Sequence, residues 1–295
     1  MRAGGGRQEA IVRPTALVRP TAVQEWKVDA QMIHADTTLA RRLESAEAAN
    51  ARGCTAMYAE AASLEIAGGC AVFAGAGSPL SHAVGLGLNG PVRESDICEL
   101  ELFFRKRGAL PVFDLCPLAD PSVFELLGER DYRITEFNNV MVRRLALAEP
   151  MHAPRVRKAL EGETELWSHT VGHGFFERTD LTDEEMDVGR AIRAMPGVLC
   201  YLGTAGTDKY VAGAALSFHG RLALLFADST IPQYRSRGFH RELIYARINE
   251  ALARSCDIAT ASMVPGSISQ RNYERFGFEV AYTRVTLMPA AGSQA

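Results

Sequence analysis

The sequence Gln233-Tyr234-Arg235-Ser236-Arg237-Gly238-Phe239-His240 lies between a predicted strand that ends near Asp228 and a predicted helix over residues 239–254. At the start of a helix the backbone N–H groups have no intrahelical acceptor, and the helix dipole favours an anion there. The glycine permits close approach of a ligand to the backbone, and the two arginines can pair with phosphate. The segment therefore predicts a pyrophosphate site, although a surface turn with two solvated arginines would show the same pattern.

Predicted strands and helices interleave on both sides of this segment. In the second half of the chain, two helices after a first strand are predicted within residues 154–196. Further helices are predicted over residues 239–254 and 267–275, and strands over residues 198–204, 210–218, 221–228, 257–263 and 278–288. In the first half, helices are predicted within residues 28–67 and over residues 94–107 and 121–129, and strands over residues 71–75, 82–88, 111–115 and 132–144. This order favours an α/β or α+β fold with a mixed sheet.

A second motif, Tyr273-Glu274-Arg275-Phe276-Gly277-Phe278, ends the helix predicted over residues 267–275. Together with Arg235 and Gly238, this motif resembles the GCN5-related N-acetyltransferase (GNAT) superfamily. Its acyl-CoA signature has Gln or Arg, then Gly, then Gly or Ala after a strand, and a later helix ends in Tyr-Glu-Lys/Arg-x-Gly-Phe. His240 departs from the signature because it stands where the family prefers Gly or Ala. The resemblance covers residues 198–288 well and implies a twisted, mixed and mostly antiparallel sheet flanked by helices.

The resemblance also implies a site for acetyl-CoA as co-substrate, with no metal. In the family the acyl-CoA lies between two splayed parallel strands, here the strand that ends near residues 229–231 and the strand over residues 257–263. Backbone N–H groups of the first strand would polarise the thioester carbonyl while an amine attacks it directly. The residues implied to contact the co-substrate are Ser229, Thr230, Ile231, Arg235, Ser236, Arg237, Gly238, Phe239, His240, Ser269 and Asn272.

Two residues are candidates for the proton transfers. By the resemblance, Tyr273 matches the general acid that protonates the departing CoA thiolate, whereas the alternative is a core aromatic on an amphipathic helix. Asp228 is the acid on the strand before the pyrophosphate loop and is a candidate base, although it could equally end the strand through a turn hydrogen bond. Further candidates for the base are His169, His173 and His219.

The first half of the chain repeats the order of elements in the second half. Residues 126–134 lie 146 residues before residues 272–280, and aromatic or apolar positions then coincide. We interpret the chain as two tandem GNAT-like units, while chance coincidence of strand alternation is the alternative. At the same offset Asn89-Gly90-Pro91-Val92 replaces residues 235–238, and Leu127 replaces Tyr273. The first unit is therefore predicted to bind no CoA, because the arginines, one N–H donor and the acid are missing.

This interpretation divides the chain into three parts. Residues 1–24 form a predicted disordered tail, in which Val-Arg-Pro-Thr-Ala occurs at residues 12–16 and 18–22 and no apolar secretory segment is found. Residues 25–148 form the degenerate unit, and residues 149–295 form the unit predicted to be catalytic. The degenerate unit could pack sheet edge against sheet edge or wall the amine site of its neighbour.

Composition excludes several classes of function. With 47% hydrophobic and 23% charged residues the chain is typical of a soluble globular protein. Its net charge of −3 provides no excess of positive charge for binding nucleic acid or an anionic membrane. No run of about 18 apolar residues is present. The six cysteines lack CxxC pairs and metal-ligand spacing, which argues against a disulfide framework and a zinc site. We expect a cytoplasmic protein.

The sequence thus predicts an acyl-CoA-dependent N-acetyltransferase, which moves an acetyl group from acetyl-CoA to a primary amine in a ternary complex. The amine would belong to a small molecule or a peptide, and a homodimer is a further expectation. The alternative is a non-catalytic acyl-CoA-binding sensor or interaction protein, which His240 and the absence of a Glu before the pyrophosphate loop both favour.

Overall fold

The computed structural model describes residues 33, 35–57, 59–146 and 151–290. The predicted tail over residues 1–24 and the predicted boundary at residues 148–149 lie outside the described residues. The helices are α1 (Thr37–Gly53), α2 (Glu94–Arg105), α3 (Pro121–Glu129), α4 (Thr164–Phe176), α5 (Asp183–Ala194), α6 (Phe239–Ala253) and α7 (Ile268–Arg275). The strands are β1 (Ala62–Ile66), β2 (Gly69–Phe73), β3 (His82–Val84), β4 (Phe113–Leu115), β5 (Tyr132–Arg144), β6 (Val156–Lys158), β7 (Leu199–Thr204), β8 (Tyr210–His219), β9 (Leu222–Thr230), β10 (Ile258–Met263) and β11 (Glu279–Pro289).

The described strands form one sheet of 11 strands in the order β1-β2-β3-β4-β11-β5-β10-β9-β8-β7-β6. Two neighbouring pairs, β3 with β4 and β9 with β10, are parallel, and the other neighbours are antiparallel. The prediction of a mixed, mostly antiparallel sheet flanked by helices is therefore confirmed.

The last strand of each half lies among strands of the other half. β5 of the first half pairs with β10 from Asn139 to Arg144, and β11 of the second half pairs with β4. β5 and β11 also pair with each other along most of their lengths. Both long strands thus have two neighbours instead of one exposed edge, and the two halves share a single sheet where the sequence predicted one sheet per unit.

The prediction of helices throughout residues 28–67 was wrong at its C-terminal end. α1 begins after Asp36, whose side chain accepts a hydrogen bond of 2.8 Å from the Leu39 N–H, and residues 62–66 form β1 instead of a second helix. The turn to β2 contains Ala67 and Gly68 with φ of 50° and 81°. Two residues with positive φ match the twist of a hairpin, and the antiparallel pairing with β2 outweighs the helix propensity of Ala, Leu and Glu.

Helix α1 of the first half contacts two strands of the second half. Glu44 on α1 is fully buried and accepts hydrogen bonds from Tyr282 Oη at 2.6 Å and Arg284 Nη2 at 2.8 Å, both on β11. Two turns later Asn50 accepts a hydrogen bond of 2.8 Å from Ser217 on β8. Because these contacts are buried and polar, they fix the position of α1 against the second half of the chain.

Within the part of the chain that the structure describes, the helices are all too short or too polar to cross a lipid bilayer. The six cysteines are free thiols, and all except Cys98 are buried. Buried free cysteines pack as small hydrophobic side chains.

Candidate functional site

The parallel strands β9 and β10 part at their C-terminal ends. Their described pairing joins Ile258, Ala259 and Thr260 to Leu222, Ala223 and Leu224. Beyond these residues β9 continues to Thr230, while β10 stays with β5 up to the pair Met263 and Asn139. A gap therefore opens between the two strands at the place where the sequence predicted the acyl-CoA to bind.

A bulge in β9 accompanies this separation. Phe226 pairs with Ala215 of β8, but the next pair is Ser229 with Gly213, and Ala227 has a φ of 55°. A residue other than glycine is strained at a positive φ, and this backbone conformation interrupts the hydrogen bonds between β8 and β9. The next section of strand carries Asp228 towards α6 and α7.

Arg247 of α6 supports the bulge from inside. Its side chain is fully buried, and its Nη1 donates hydrogen bonds to the carbonyl oxygens of Ala215 at 3.2 Å and Phe226 at 3.4 Å. Both carbonyls flank the irregular part of the ladder, where buried backbone groups need other partners. Arg247 therefore satisfies carbonyl groups beside the β9 bulge.

The same guanidinium group pairs with Asp228 and contacts Tyr273. Arg247 Nη1 lies 3.0 Å from Asp228 Oδ2, Nη2 also bonds Asp228 Oδ1, and Nη2 lies 3.3 Å from Tyr273 Oη. Tyr273 Oη donates a hydrogen bond of 2.8 Å to Asp228 Oδ2, and the Tyr273 residue is only 1% exposed. The structure thus brings the two predicted catalytic residues together and adds an arginine that the sequence did not single out.

Electrostatics define the protonation states in this cluster. Burial opposes the charge on Asp228, but the positive charge of Arg247 and the neighbouring His240 ring hold the pKa of that carboxyl well below its ordinary value of 3.8. Burial, reinforced by the charge of Asp228 and opposed by that of Arg247, raises the pKa of Tyr273 well above 10. Tyr273 is therefore a protonated phenol at neutral pH. The base role of Asp228 stays a prediction, and its depressed pKa argues against it.

His240 extends the cluster from the first turn of α6 to α7. Its Nδ1 lies 2.9 Å from Asn272 Nδ2, its Nε2 lies 3.3 Å from Asp228 Oδ1, and its ring centre lies 5.6 Å from that of Tyr273. The imidazole therefore occupies space between α6 and α7 that Gly or Ala would leave open. Three predicted site residues, His240, Asn272 and Tyr273, meet here.

Arg235 anchors the loop before α6 to the end of α4. Its guanidinium donates to Glu177 Oε1 at 2.6 Å, to the Gly174 carbonyl at 2.9 Å and to the Thr230 carbonyl at 3.1 Å. The predicted phosphate-pairing side chain thus has protein partners. We interpret Arg235 as a residue that positions the loop.

The rest of the loop leads into the N-terminus of α6 and is held there by hydrogen bonds. Ser236 and Gly238 have φ of 61° and 86°. Gly238, which is the N-cap of α6, adopts its positive φ without strain because it has no Cβ atom. Arg155, which precedes β6, donates to the Arg237 carbonyl at 3.0 Å and to Glu242 Oε1 through its Nε at 2.9 Å. The loop is therefore tied to α6 as well as to α4.

The predicted contacts at the end of β9 are partly used by the protein itself. Ser229 Oγ donates a hydrogen bond of 2.7 Å to the Val171 carbonyl of α4, and the Ile231 N–H donates to the Val211 carbonyl at 2.9 Å. Thr230 is half-buried, and Phe239 is buried against β7. Ser269 lies one turn before Tyr273 on α7 and is half-buried.

Gly174 allows α4 to pack tightly on this end of β9. A Cβ atom at this position would lie 2.2 Å from Ser229 Oγ and 2.8 Å from the Thr230 carbonyl carbon. No side chain fits at such distances. This close packing and the Arg235 contacts fix the end of β9 from the side of α4.

The corresponding loop of the first half is built differently. The Val92 N–H donates to Ser122 Oγ at 2.8 Å, and the Arg93 N–H donates to Asp96 Oδ2 at 2.8 Å. Leu127 is fully buried in the core at the position that corresponds to Tyr273. Side chains of the protein accept from these two N–H groups, and the absence of a CoA site in the first half stays a prediction.

The three histidines offered as further bases lie on α4 and β8. His169 and His173 are on α4, where His169 Nε2 lies 3.1 Å from the Thr179 carbonyl, and His219 ends β8 with its Nε2 3.2 Å from Ser217 Oγ. Burial lowers the pKa of His219.

Among the described residues no group of three or more His, Cys, Asp or Glu side chains is arranged to hold a metal ion.

No known protein family description matches the sequence, and no curated protein is significantly similar to it. In structure the chain is similar to a GCN5-related N-acetyltransferase from Kribbella flavida, with 18% sequence identity, coverage of 85% of this chain and 97% of that one, and a TM-score of 0.60. It is also similar to a tandem GNAT protein from the clavulanic acid biosynthesis pathway, with 11% identity, coverage of 89% and 98%, and a TM-score of 0.57.

These similarities establish that the chain has the GNAT fold. More particularly, it has the fold of a tandem GNAT protein, because the second similarity extends over nearly the whole of both chains. The resemblance predicted from residues 235–240 and 273–278 is thereby confirmed at the level of the fold.

Proposed function

We propose that this protein is an acyl-CoA-dependent N-acetyltransferase that transfers the acetyl group of acetyl-CoA to a primary amine by direct attack in a ternary complex. The observation that carries the proposal is the arrangement at the parted ends of β9 and β10. There the loop of residues 231–238 leads from β9 to the N-terminus of α6, and the Tyr273 hydroxyl lies beside Asp228 of β9. The GNAT fold supports the same reaction class.

The start of α6 suits the pyrophosphate of acetyl-CoA. The N–H groups of the first helical turn have no acceptor within a helix, and in α6 the Glu242 N–H donates to the Gly238 carbonyl at 3.1 Å. The turn before it therefore presents N–H donors at the positive end of the helix dipole. Arg237 and Arg241 add positive charge beside these donors. Residues 237–241 would hold the pyrophosphate.

The cluster behind the gap suits the departure of a thiolate. The bound co-substrate supplies the thioester, in which the C–S bond breaks as the amine nitrogen forms its bond to the carbonyl carbon. Tyr273 then gives its phenolic proton to the sulfur, and Arg247, 3.3 Å from that oxygen, stabilises the resulting tyrosinate. Asp228 holds the hydroxyl of Tyr273 before transfer. The proton released by the amine leaves to solvent, and a solvent proton restores Tyr273.

The acceptor is proposed to be a primary amine of a small molecule or a peptide. Purified protein would be incubated with acetyl-CoA and a panel of such amines, and release of free CoA thiol would be followed. We expect thiol release that depends on one class of amine and on the protein. Release no faster than in amine-free controls across the panel, with acetyl-CoA bound, would contradict the catalytic proposal.

One observation favours a second function, that of a non-catalytic acyl-CoA sensor or interaction protein. Tyr273 is only 1% exposed, and its hydroxyl is already bonded to Asp228 behind His240. A hydroxyl held in this way must reorient before it can reach a thiolate. Saturable binding of acetyl-CoA without thiol release would support this second function, and thiol release with any amine would exclude it.

A further inference from the structure

A pocket of about 600 Å³ lies beside the first turn of α6. The residues that line it include Arg155, Thr204, Thr207, Tyr234, Arg237 and Phe239. Phe239 faces this pocket and β7, whereas the next residue, His240, contacts Asn272 of α7. The pocket is therefore separate from the space between α6 and α7, although it shares the loop that precedes α6.

Two cationic side chains without an acidic partner lie near the same aromatic ring, that of Tyr234, which lines this pocket. Lys209 Nζ lies 5.1 Å and Arg237 Cζ lies 5.0 Å from the centre of the Tyr234 ring. In the described part of the chain neither forms an ion pair with a carboxylate, whereas their neighbours Arg235 and Arg155 pair with Glu177 and Glu242. Two positive charges near one ring, neither of them neutralised by a carboxylate, attract an anion to this part of the surface.

We propose that this pocket is a second phosphate-binding site, which takes a phosphate monoester through Lys209 and Arg237. The inference rests on the proposed function, because it assigns the monoester to the 3′-phosphate of CoA. Arg237 joins the two sites, since its backbone belongs to the loop that ends at Gly238 and its side chain lies over Tyr234. One ribose separates the pyrophosphate from the 3′-phosphate, so a pyrophosphate at the start of α6 leaves the 3′-phosphate within reach of the pocket.

The chemistry of the lining fits a phosphate next to a planar group. Tyr234 and Phe239 have ring centres 6.4 Å apart, and Thr204 and Thr207 bring hydroxyl groups to the wall. The cations supply charge-assisted hydrogen bonds to phosphate oxygens, and an aromatic surface suits the adenine base. The turn that carries Lys209 is closed by a hydrogen bond of 2.9 Å from the Ala205 N–H to the Lys209 carbonyl. The lysine therefore stands on an ordered hairpin.

The test compares acetyl-CoA with acetyl-3′-dephospho-CoA by calorimetry for the wild-type protein, Lys209→Ala and Arg237→Ala. Lys106→Ala, on the exposed C-terminal end of α2, is the control for loss of one positive charge. We expect the wild-type protein and the control to bind acetyl-CoA about tenfold or more tightly than the dephospho form, as charge-assisted hydrogen bonds allow. In the two pocket variants the preference should fall towards one.

The other outcomes separate this proposal from the function it rests on. An equal preference in the wild-type protein and the pocket variants overturns the assignment to CoA. If the wild-type protein binds inorganic phosphate and Lys209→Ala does not, a phosphate site remains and another ligand must supply the monoester. If neither form of acetyl-CoA binds, the proposed function fails, and adenosine 3′,5′-bisphosphate then tests the pocket alone. Its binding to the wild-type protein but not to Lys209→Ala retains the site, and no binding to either removes it.

Discussion

Arg247 of α6 and Asp228 of β9 form an ion pair in the interior of the protein, directly behind the bulge in β9. The arginine is fully buried, and it also donates to the two backbone carbonyls that flank the bulge. One side chain thus links the irregular backbone of β9, the carboxylate of Asp228 and the hydroxyl of Tyr273. The shape of the strand and the electrostatics of the site therefore depend on the same residue.

Replacing Arg247 with methionine should strongly destabilise the fold. The Arg247→Met change leaves the Asp228 carboxylate buried without its partner, and breaking a buried pair in this way costs about 3–5 kcal/mol. Urea denaturation would measure the free energy of unfolding. The double variant Arg247→Met with Asp228→Asn should recover part of the loss, because no unpaired charge remains. A loss of under about 1 kcal/mol would show that the pair is not structurally important.

The contribution of Asp228 to stability should depend on pH. Its pKa is lowered by folding, so the unfolded state binds the proton more readily and the pair stabilises the fold above the ordinary pKa of 3.8. This stabilisation is lost as the pH falls from there through the folded-state pKa. The difference in unfolding free energy between the wild-type protein and Asp228→Asn should therefore be largest near neutral pH and shrink below pH 3.8. A difference that stays constant down to pH 2 would refute the lowered pKa.

Removal of the Tyr273 hydroxyl should affect turnover more than binding. We expect Tyr273→Phe to lower kcat by about 100-fold, the lower end of the range for general acid catalysis, with little change in the affinity for acetyl-CoA. Tyr282→Phe is a matched control, since Tyr282 is also buried and donates to a carboxylate, that of Glu44. Equal effects of the two changes on kcat would indicate that Tyr273 has a structural role and is not the general acid.

Arg235→Ala should weaken acetyl-CoA binding through the position of the loop. The change removes the contacts of 2.6 Å to Glu177 and 2.9 Å to the Gly174 carbonyl that hold the loop on α4. Loss of charge-assisted hydrogen bonds of this kind predicts about a tenfold rise in the Kd measured by calorimetry. Asn89→Ala, at the corresponding place in the first half, should leave the Kd unchanged. A rise with Asn89→Ala as well would indicate that the first half also binds CoA.

Much of the fold could be predicted because local signals agreed with the tertiary structure. Asp120 caps α3 with Pro121 in its first turn, and the predicted bounds of α3 and β5 match the observed ones. The strand at residues 62–66 was missed because its composition favours a helix, whereas its conformation depends on pairing with β2. The exchange of β5 and β11 could not be predicted either, because alternation along a strand does not specify which strand lies beside it.

The loop of the candidate site was predicted from the sequence, but the buried arginine behind it was not. Positive φ at Gly238 and the helix start at Phe239 follow from local sequence. Arg247 was missed, although it falls on the buried face of α6 between Leu243 and Ile248, where an unpaired arginine would be very costly. That position is a signal for a buried partner, but the identity of the partner depends on how far β9 and α6 approach each other.

The central claim is that the start of α6 and the gap between β9 and β10 bind acetyl-CoA. The most direct measurement is the thermal unfolding midpoint of the full chain as a function of acetyl-CoA concentration. Binding to the folded state alone adds about 2.7 kcal/mol at 100 times the Kd, so the midpoint should rise and keep rising with ligand. An unchanged midpoint at millimolar acetyl-CoA would contradict the claim.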